Sequence, residues 1–332
     1  MYSDDDLSNA VKQGIVPGPT ADAFREFVEH QRKTVLQDEE HFRLVTSFND
    51  IFVVIAAVLS LAALWTLGNL VHPLLGGFVV AAGSWLLAEY FTLKRRMALP
   101  SIVLLFACTG SVFGSIMASF FDANPESAMV PLLAFAAATL VAIAHWFRFH
   151  VPITVAVLTA TAIGVIISAI AAVFPFSPEL VKGLLFVAGI VVFLLALRWD
   201  RSDRERRTQR ADIAFWLHLL AAPLLVHPIF SSLADSGIGM GLAIVTIALY
   251  ALLAITSLII DRRALMVSAL SYVIYVFAAY LDSVGLVDVS TAIIGLVVGS
   301  GLLMLSVYWH PLRQRLLALL PDSWQGQLPQ AN

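Results

Sequence analysis

The residues best suited to chemistry lie in one apolar stretch, Asp212-Ile-Ala-Phe-Trp-Leu-His218-Leu-Leu-Ala-Ala-Pro223-Leu-Leu-Val-His227-Pro228. Pro223 cannot donate a helix hydrogen bond, so it predicts a kink with freed carbonyls. Beside two imidazoles, such carbonyls could form a polar membrane site or a proton relay. His218 and His227 are nine positions apart, which places them about 180° apart on a helix and ~13 Å along it, so they are not a ligand pair. Glu89 is a second candidate, because a carboxylate in lipid is costly and is a functional hypothesis by default. Its depth allows it to reach toward Lys94 and Arg95. Thr154, Thr161 and Ser168 recur at seven-residue spacing, which puts three hydroxyls roughly on one helix face. Such a stripe can line a path or bond a neighbouring helix. His145 and His150 flank a basic turn and are expected at the membrane interface.

Other chemistry is missing from the sequence. It contains no Cys/His zinc spacing, no HExxH, no GxxxxGK[ST] and no nucleophile elbow. Neither an enzyme nor a cofactor is expected. Gly237-x-Gly239-x-Gly241 follows a predicted outer turn instead of a strand, so it fails the context of a phosphate loop. Three pairs, Gly110/Gly114, Gly237/Gly241 and Gly295/Gly299, read instead as Gly-xxx-Gly faces that let helices approach closely. Packing within one chain is the plain reading, and self-association the sharper one.

The elements that must hold these residues are transmembrane helices. Of 332 residues, 59% are apolar and 13% charged, whereas a soluble chain has roughly 45–50% and about 25%. Apolar runs long enough to cross a bilayer core of about 30 Å recur down the chain. They predict spans at 51–68, 72–93, 98–120, 128–147, 151–174, 179–197, 213–234, 237–260, 264–284 and 289–308. The fold class is therefore all-α and polytopic: residues 1–49 a cytoplasmic acidic helical segment, 50–309 a ten-helix bundle, and 310–332 a cytoplasmic tail. The lipid bilayer is the principal partner. A net charge of −3 gives no reason to expect nucleic acid. The lone Cys108 excludes an intramolecular disulfide.

Charge sets the expected orientation. The first 50 residues are polar, with five Lys/Arg against ten Asp/Glu, and do not read as a secretory signal. With the N-terminus inside, every one of the 20 Lys and Arg except Lys182 falls on the inner side, as the positive-inside rule requires. Losing one span would break that alternation. Both termini are expected in the cytoplasm of a multi-pass cell-membrane protein. Tyr90, Trp146, Trp199, Trp216, Tyr308 and Trp309 at inner helix ends, with Trp65 and Tyr280 at outer ends, read as interfacial anchors.

Outside the bundle, Ser3 caps a predicted first helix that Gly14 ends, and Thr20 caps a second. Two such helices cannot bury a core of their own, so residues 1–49 predict self-association or docking on a protein partner. The stretch 38–50 is expected to lie along the membrane surface. The loop 198–210 has six Arg against three acids. It predicts attraction to anionic lipid or docking of the acidic N-terminal helices. Leu312, Leu316, Leu317, Leu319 and Leu320 with Arg313 and Arg315 suggest a short in-plane helix. Arg95-Arg96-Met-Ala-Leu-Pro-Ser101 echoes Arg262-Arg263-Ala-Leu-Met-Val-Ser268, a weak hint of a repeat.

The chain resembles bacterial polytopic membrane families known only as domains of unknown function. Asp6-Leu7…Ala10…Gly14-Ile15, the stretch Asp38-Glu-Glu-His-Phe-Arg-Leu-Val45 leading into Phe48-Asn-Asp-Ile51, and Asp212-Ile-Ala-Phe-Trp-Leu-His218 carry the resemblance. It implies a bacterial inner membrane and supplies no catalytic residues. Ten spans with both ends inside are also similar in architecture to drug/metabolite transporters. The expected function is a small-molecule permease resting on the kinked histidine span and the hydroxyl stripe. The alternative is a non-transporting scaffold or assembly protein acting through its N-terminal helices and Arg-rich loop.

Overall fold

The computed structural model describes residues 7, 10–24, 48–121, 127–174, 177–203, 208–234, 239–283, 285 and 287–321. The chain divides into two units between residues 42 and 43. In the first, Gly14 adopts φ 72° and its amide donates to the Val11 carbonyl at 3.0 Å, ending a helical turn. Residues 18–24 are helical, so the second helix begins two residues before Thr20. Asp4 to Asp6, and the stretch 25–47, lie outside the described residues.

The second unit is a bundle of ten helices: α1 (Phe48–Asn69), α2 (Pro73–Ala88), α3 (Ala98–Phe120), α4 (Met129–Phe149), α5 (Ile153–Val173), α6 (Pro178–Ser202), α7 (Gln209–Ala234), α8 (Met240–Ile260), α9 (Ala264–Ser283) and α10 (Val287–Ala318). Each, α2 together with the helical turn Glu89–Lys94 that continues it, is long and apolar enough to span a membrane. The protein is thus an all-helical, multi-pass membrane protein, with no strand among the described residues.

Local sequence accounts for many boundaries. Pro73 and Pro178 occupy first turns, where the missing amide is unneeded. His72 Nδ1 accepts from the Leu74 amide at 3.2 Å, and Ser177 Oγ from the Leu180 amide at 3.1 Å. Three turns at one end of the bundle are closed by non-glycine residues in the left-handed region: Arg96 (φ 51°), His150 (φ 53°) and Asp261 (φ 55°).

The second span ends where expected, its last turn π-helical over Glu89–Lys94. Two other boundaries differ from the sequence reading. α6 extends to Ser202, because Val192, Ala196 and Asp200 continue one buried face four residues apart. α10 passes through Pro311 to Ala318 without a break, where a separate in-plane helix was expected.

Packing is mostly between sequence neighbours. α1, α2 and α3 pack together, α3 on α4, and α4 on α5. α7 is the hub of the second half, touching α5, α6, α8 and α9, while α10 rests on α8 and α9. The principal contacts between the first four helices and the last five pass through α5.

Candidate functional site

Three hairpin ends meet around one carboxylate. Asp200, in the last turn of α6, lies 2.8 Å from His218 Nε2 of α7 and 2.7 Å from an Arg262 guanidinium nitrogen in the α8–α9 turn. The three are 4%, 1% and 3% exposed, respectively. An ionised carboxylate only accepts, so His218 donates through Nε2–H. The same Arg262 nitrogen also donates to the Ala211 carbonyl at 3.3 Å, at the start of α7. Inside the bundle these bonds are electrostatically strong, and an unpartnered charge there is costly.

α6 can present Asp200 inward because it packs tightly on α7. A Cβ at Gly189 would stand 2.9 Å from the Leu224 carbonyl carbon. α7 presents His218 on the same buried face as Ala214, Leu217, Ala221 and Ala222. The α6–α7 connection is gathered by Asp203, whose carboxylate accepts from the Thr208 amide at 2.8 Å and hydroxyl at 2.6 Å.

A second cluster adjoins the first through the α8–α9 turn. Ser257 Oγ donates to the Arg262 carbonyl. Asp261 accepts from Trp309 Nε1–H of α10 at 3.0 Å, and Arg313 Nε lies 3.7 Å from the same oxygen. The Arg263 guanidinium stacks over the Trp309 ring at 4.9 Å. Asp261, Arg262 and Arg263 therefore tie α8–α9 to α10 on one side and to α6–α7 on the other. Trp309 is 2% exposed, so this ring is a buried tie where an interfacial anchor was expected.

At the same end of the first half, Glu89 receives a two-pronged bond from Arg148 of α4, Nε at 2.8 Å and a terminal nitrogen at 2.6 Å. Planar guanidinium and carboxylate favour this geometry. Its partner is thus across the bundle instead of Lys94 or Arg95. His145, expected at the interface, is buried instead. It lies 3.3 Å from Thr154 Oγ1 of α5, with the Trp85 and Phe149 rings against it.

The residues expected to make one polar membrane site are dispersed. His218 is buried at the Asp200 cluster, whereas His227 is exposed and bonds the Tyr272 hydroxyl of α9. Pro223 is exposed on the outer face of a helix that continues through it. Thr154 pairs with His145, Thr161 donates to its own Leu158 carbonyl at 3.1 Å, and Ser168 is buried. No two of these candidates bond each other among the described residues.

The expected helix-packing glycines also fall elsewhere. A Cβ at Gly110, Gly241, Gly295 or Gly299 would meet nothing within 4 Å, and at Gly114 only Trp65 at 3.9 Å; Gly237 lies outside the described residues. Close approach occurs instead at Gly68 against Gly76, Gly77 against Ser115, and Gly164 against the Phe135 ring. Glycine spacing along one helix does not reveal what faces it across the gap.

Sequence reasoning missed Asp200 and Arg262. Both were read as charges of basic turns. The four-residue recurrence of Val192, Ala196 and Asp200 could have flagged Asp200 as inward-facing; nothing in the sequence marks Arg262 over Arg263. Among the described residues no three His, Cys, Asp or Glu side chains converge as a metal site would require. No family model, curated protein or solved structure matches the chain.

Proposed function

We propose that this protein is a small-molecule permease of a cell membrane, the bacterial inner membrane, with both termini cytoplasmic. In this reading Asp200, His218 and Arg262 act as a proton-linked latch. What carries the reading is the burial of a carboxylate, an imidazole and a guanidinium where α6, α7 and the α8–α9 turn meet. Buried ion pairs contribute little net stability compared with apolar packing. A buried charged cluster at the ends of these helices is therefore better accounted for by a switch than by stability. A proton added at Asp200 removes acceptor capacity from a site holding two donors. The bond to Arg262 loses its charge assistance and weakens, loosening the α8–α9 turn from α6. Because α7 touches α5, α6, α8 and α9, that loosening is felt by half the bundle.

A second reading, the non-transporting scaffold, is favoured by the close packing of the α7 face beside Pro223. Ala221, Ala222 and Val226 are fully buried there. The two readings part on water. In a Cys108→Ser background, Ala222→Cys and Leu225→Cys would be challenged with a membrane-impermeant thiol reagent from each side of sealed vesicles. Labelling of Ala222→Cys that changes when Asp200→Asn is added supports the permease. No labelling of either position, with or without Asp200→Asn, removes it and leaves the scaffold.

A further inference from the structure

The outward face of α6 carries a cleft of about 310 Å³ lined by Leu194, Leu197, Arg198 and Arg201. This face is roughly 150° around the helix from the Ala196 and Asp200 face that packs on α7. Leu194, Arg198 and Arg201 are exposed there, while Leu197 at the edge is half-buried against Ala222, Ile260 and Leu265. Arg198 and Arg201 are both exposed, and neither has an ion-pair partner among the described residues. Their stems lie one turn apart on the same strip. Below them Leu194, Ile190 and Val187 continue the strip as exposed apolar surface. From Arg198 to Val187 is ~16 Å at 1.5 Å per residue, about half of a bilayer core of roughly 30 Å.

The geometry points to a binding site for one anionic phospholipid of the leaflet at the basic end, its phosphate held by Arg198 and Arg201 and one acyl chain lying along Leu194, Ile190 and Val187. Two unpaired guanidiniums match a phosphate diester in charge and in fork geometry. The apolar strip below has the length of one acyl layer. A soluble anion would use only the two arginines and leave the strip unexplained. The site is distinct from the proposed latch, because neither arginine bonds Asp200, His218 or Arg262.

The test is native mass spectrometry of the full chain in detergent with equimolar phosphatidylglycerol and phosphatidylcholine of matched acyl chains. The first retained lipid is expected to be phosphatidylglycerol, by about tenfold or more, given the attraction of two cations near the membrane surface. The double variant Arg198→Gln/Arg201→Gln is expected to lose the preference. Arg198→Lys/Arg201→Lys should keep part of it, and Leu194→Glu, which sets a like charge below the phosphate, should lower it. Arg315→Gln, an exposed cation on α10, should leave it intact. All side chains changed are on the surface, so folding is monitored simply by size exclusion. Equal retention of the two lipids overturns the site. So does a preference that survives Arg198→Gln/Arg201→Gln, or one that falls as far in Arg315→Gln. Displacement of the phospholipid by an equal concentration of inorganic phosphate overturns the lipid assignment.

Discussion

Asp200 holds two donors from two different hairpins, so its removal differs from the loss of a surface charge. Asp200→Asn leaves Arg262 buried without its anion, a change that costs about 3–5 kcal/mol. Arg262→Gln leaves Asp200 with His218 as its remaining partner. The double variant Asp200→Asn/Arg262→Gln is expected to cost at least about 1 kcal/mol less than the two singles added, because the second change removes the charge that the first stranded. Unfolding in mixed detergent micelles reads all three, and strict additivity would show that the pair is not coupled. Trp309→Phe keeps an aromatic ring but removes the N–H donated to Asp261. A hydrogen bond to a charged group contributes about 1.5–3 kcal/mol, so a loss of that order is expected in the same assay.

Helix contacts are decided by which glycine meets a neighbour. At Gly77 a methyl group would fall 2.3 Å from the Ser115 Cβ and 2.8 Å from the Ser111 carbonyl oxygen, against the backbone of α3. Gly77→Ala should push α2 from α3 and destabilise by about 1–3 kcal/mol, the usual cost of overpacking. Gly295→Ala adds a methyl into open space on α10. It is expected to be neutral or to stabilise by up to about 1 kcal/mol, because alanine restricts the unfolded chain and favours helix. Thermal unfolding of the two variants side by side separates them. If Gly295→Ala proves the more damaging, another copy of the chain covers that face.

At the scale of the whole bundle, the ties made by Glu89, Asp200 and Asp261 collect at one end. Glu89 to Arg148, Asp200 to His218 and Arg262, and Asp261 to Trp309 join the α2–α3, α4–α5, α6–α7 and α8–α9 turns and the end of α10. Apolar helices gain no hydrophobic attraction for one another within lipid, so polar ties at the ends and close-packed glycines carry much of their association. If all ten helices cross, an even number of crossings returns the chain to the side it started from. Reporter tags at either terminus or inserted at Arg96 should respond from the same face, and a tag within 122–126 from the opposite one. Any other pattern would mean that one of the ten helices does not cross.

Counting and placing spans needs only the run of apolar residues along the chain and the basic residues between them. Both are one-dimensional properties set by bilayer thickness and charge, and the helices match the expected spans closely at α3 and α5, for example. The opposition of His218 and His227 followed likewise from helical pitch. Which residue each side chain meets was not legible. Arg148 lies 59 residues from Glu89, and Arg262 lies 62 from Asp200. Many basic residues share the same turns, and sequence gives no reason to choose among them. The burial of Asp200 and Trp309, the exposure of Pro223 and the choice of Gly77 over Gly110 as a contact all depend on which helix stands beside which. Only tertiary packing sets that, because within lipid every outward apolar face is equally satisfied until a neighbouring helix takes it.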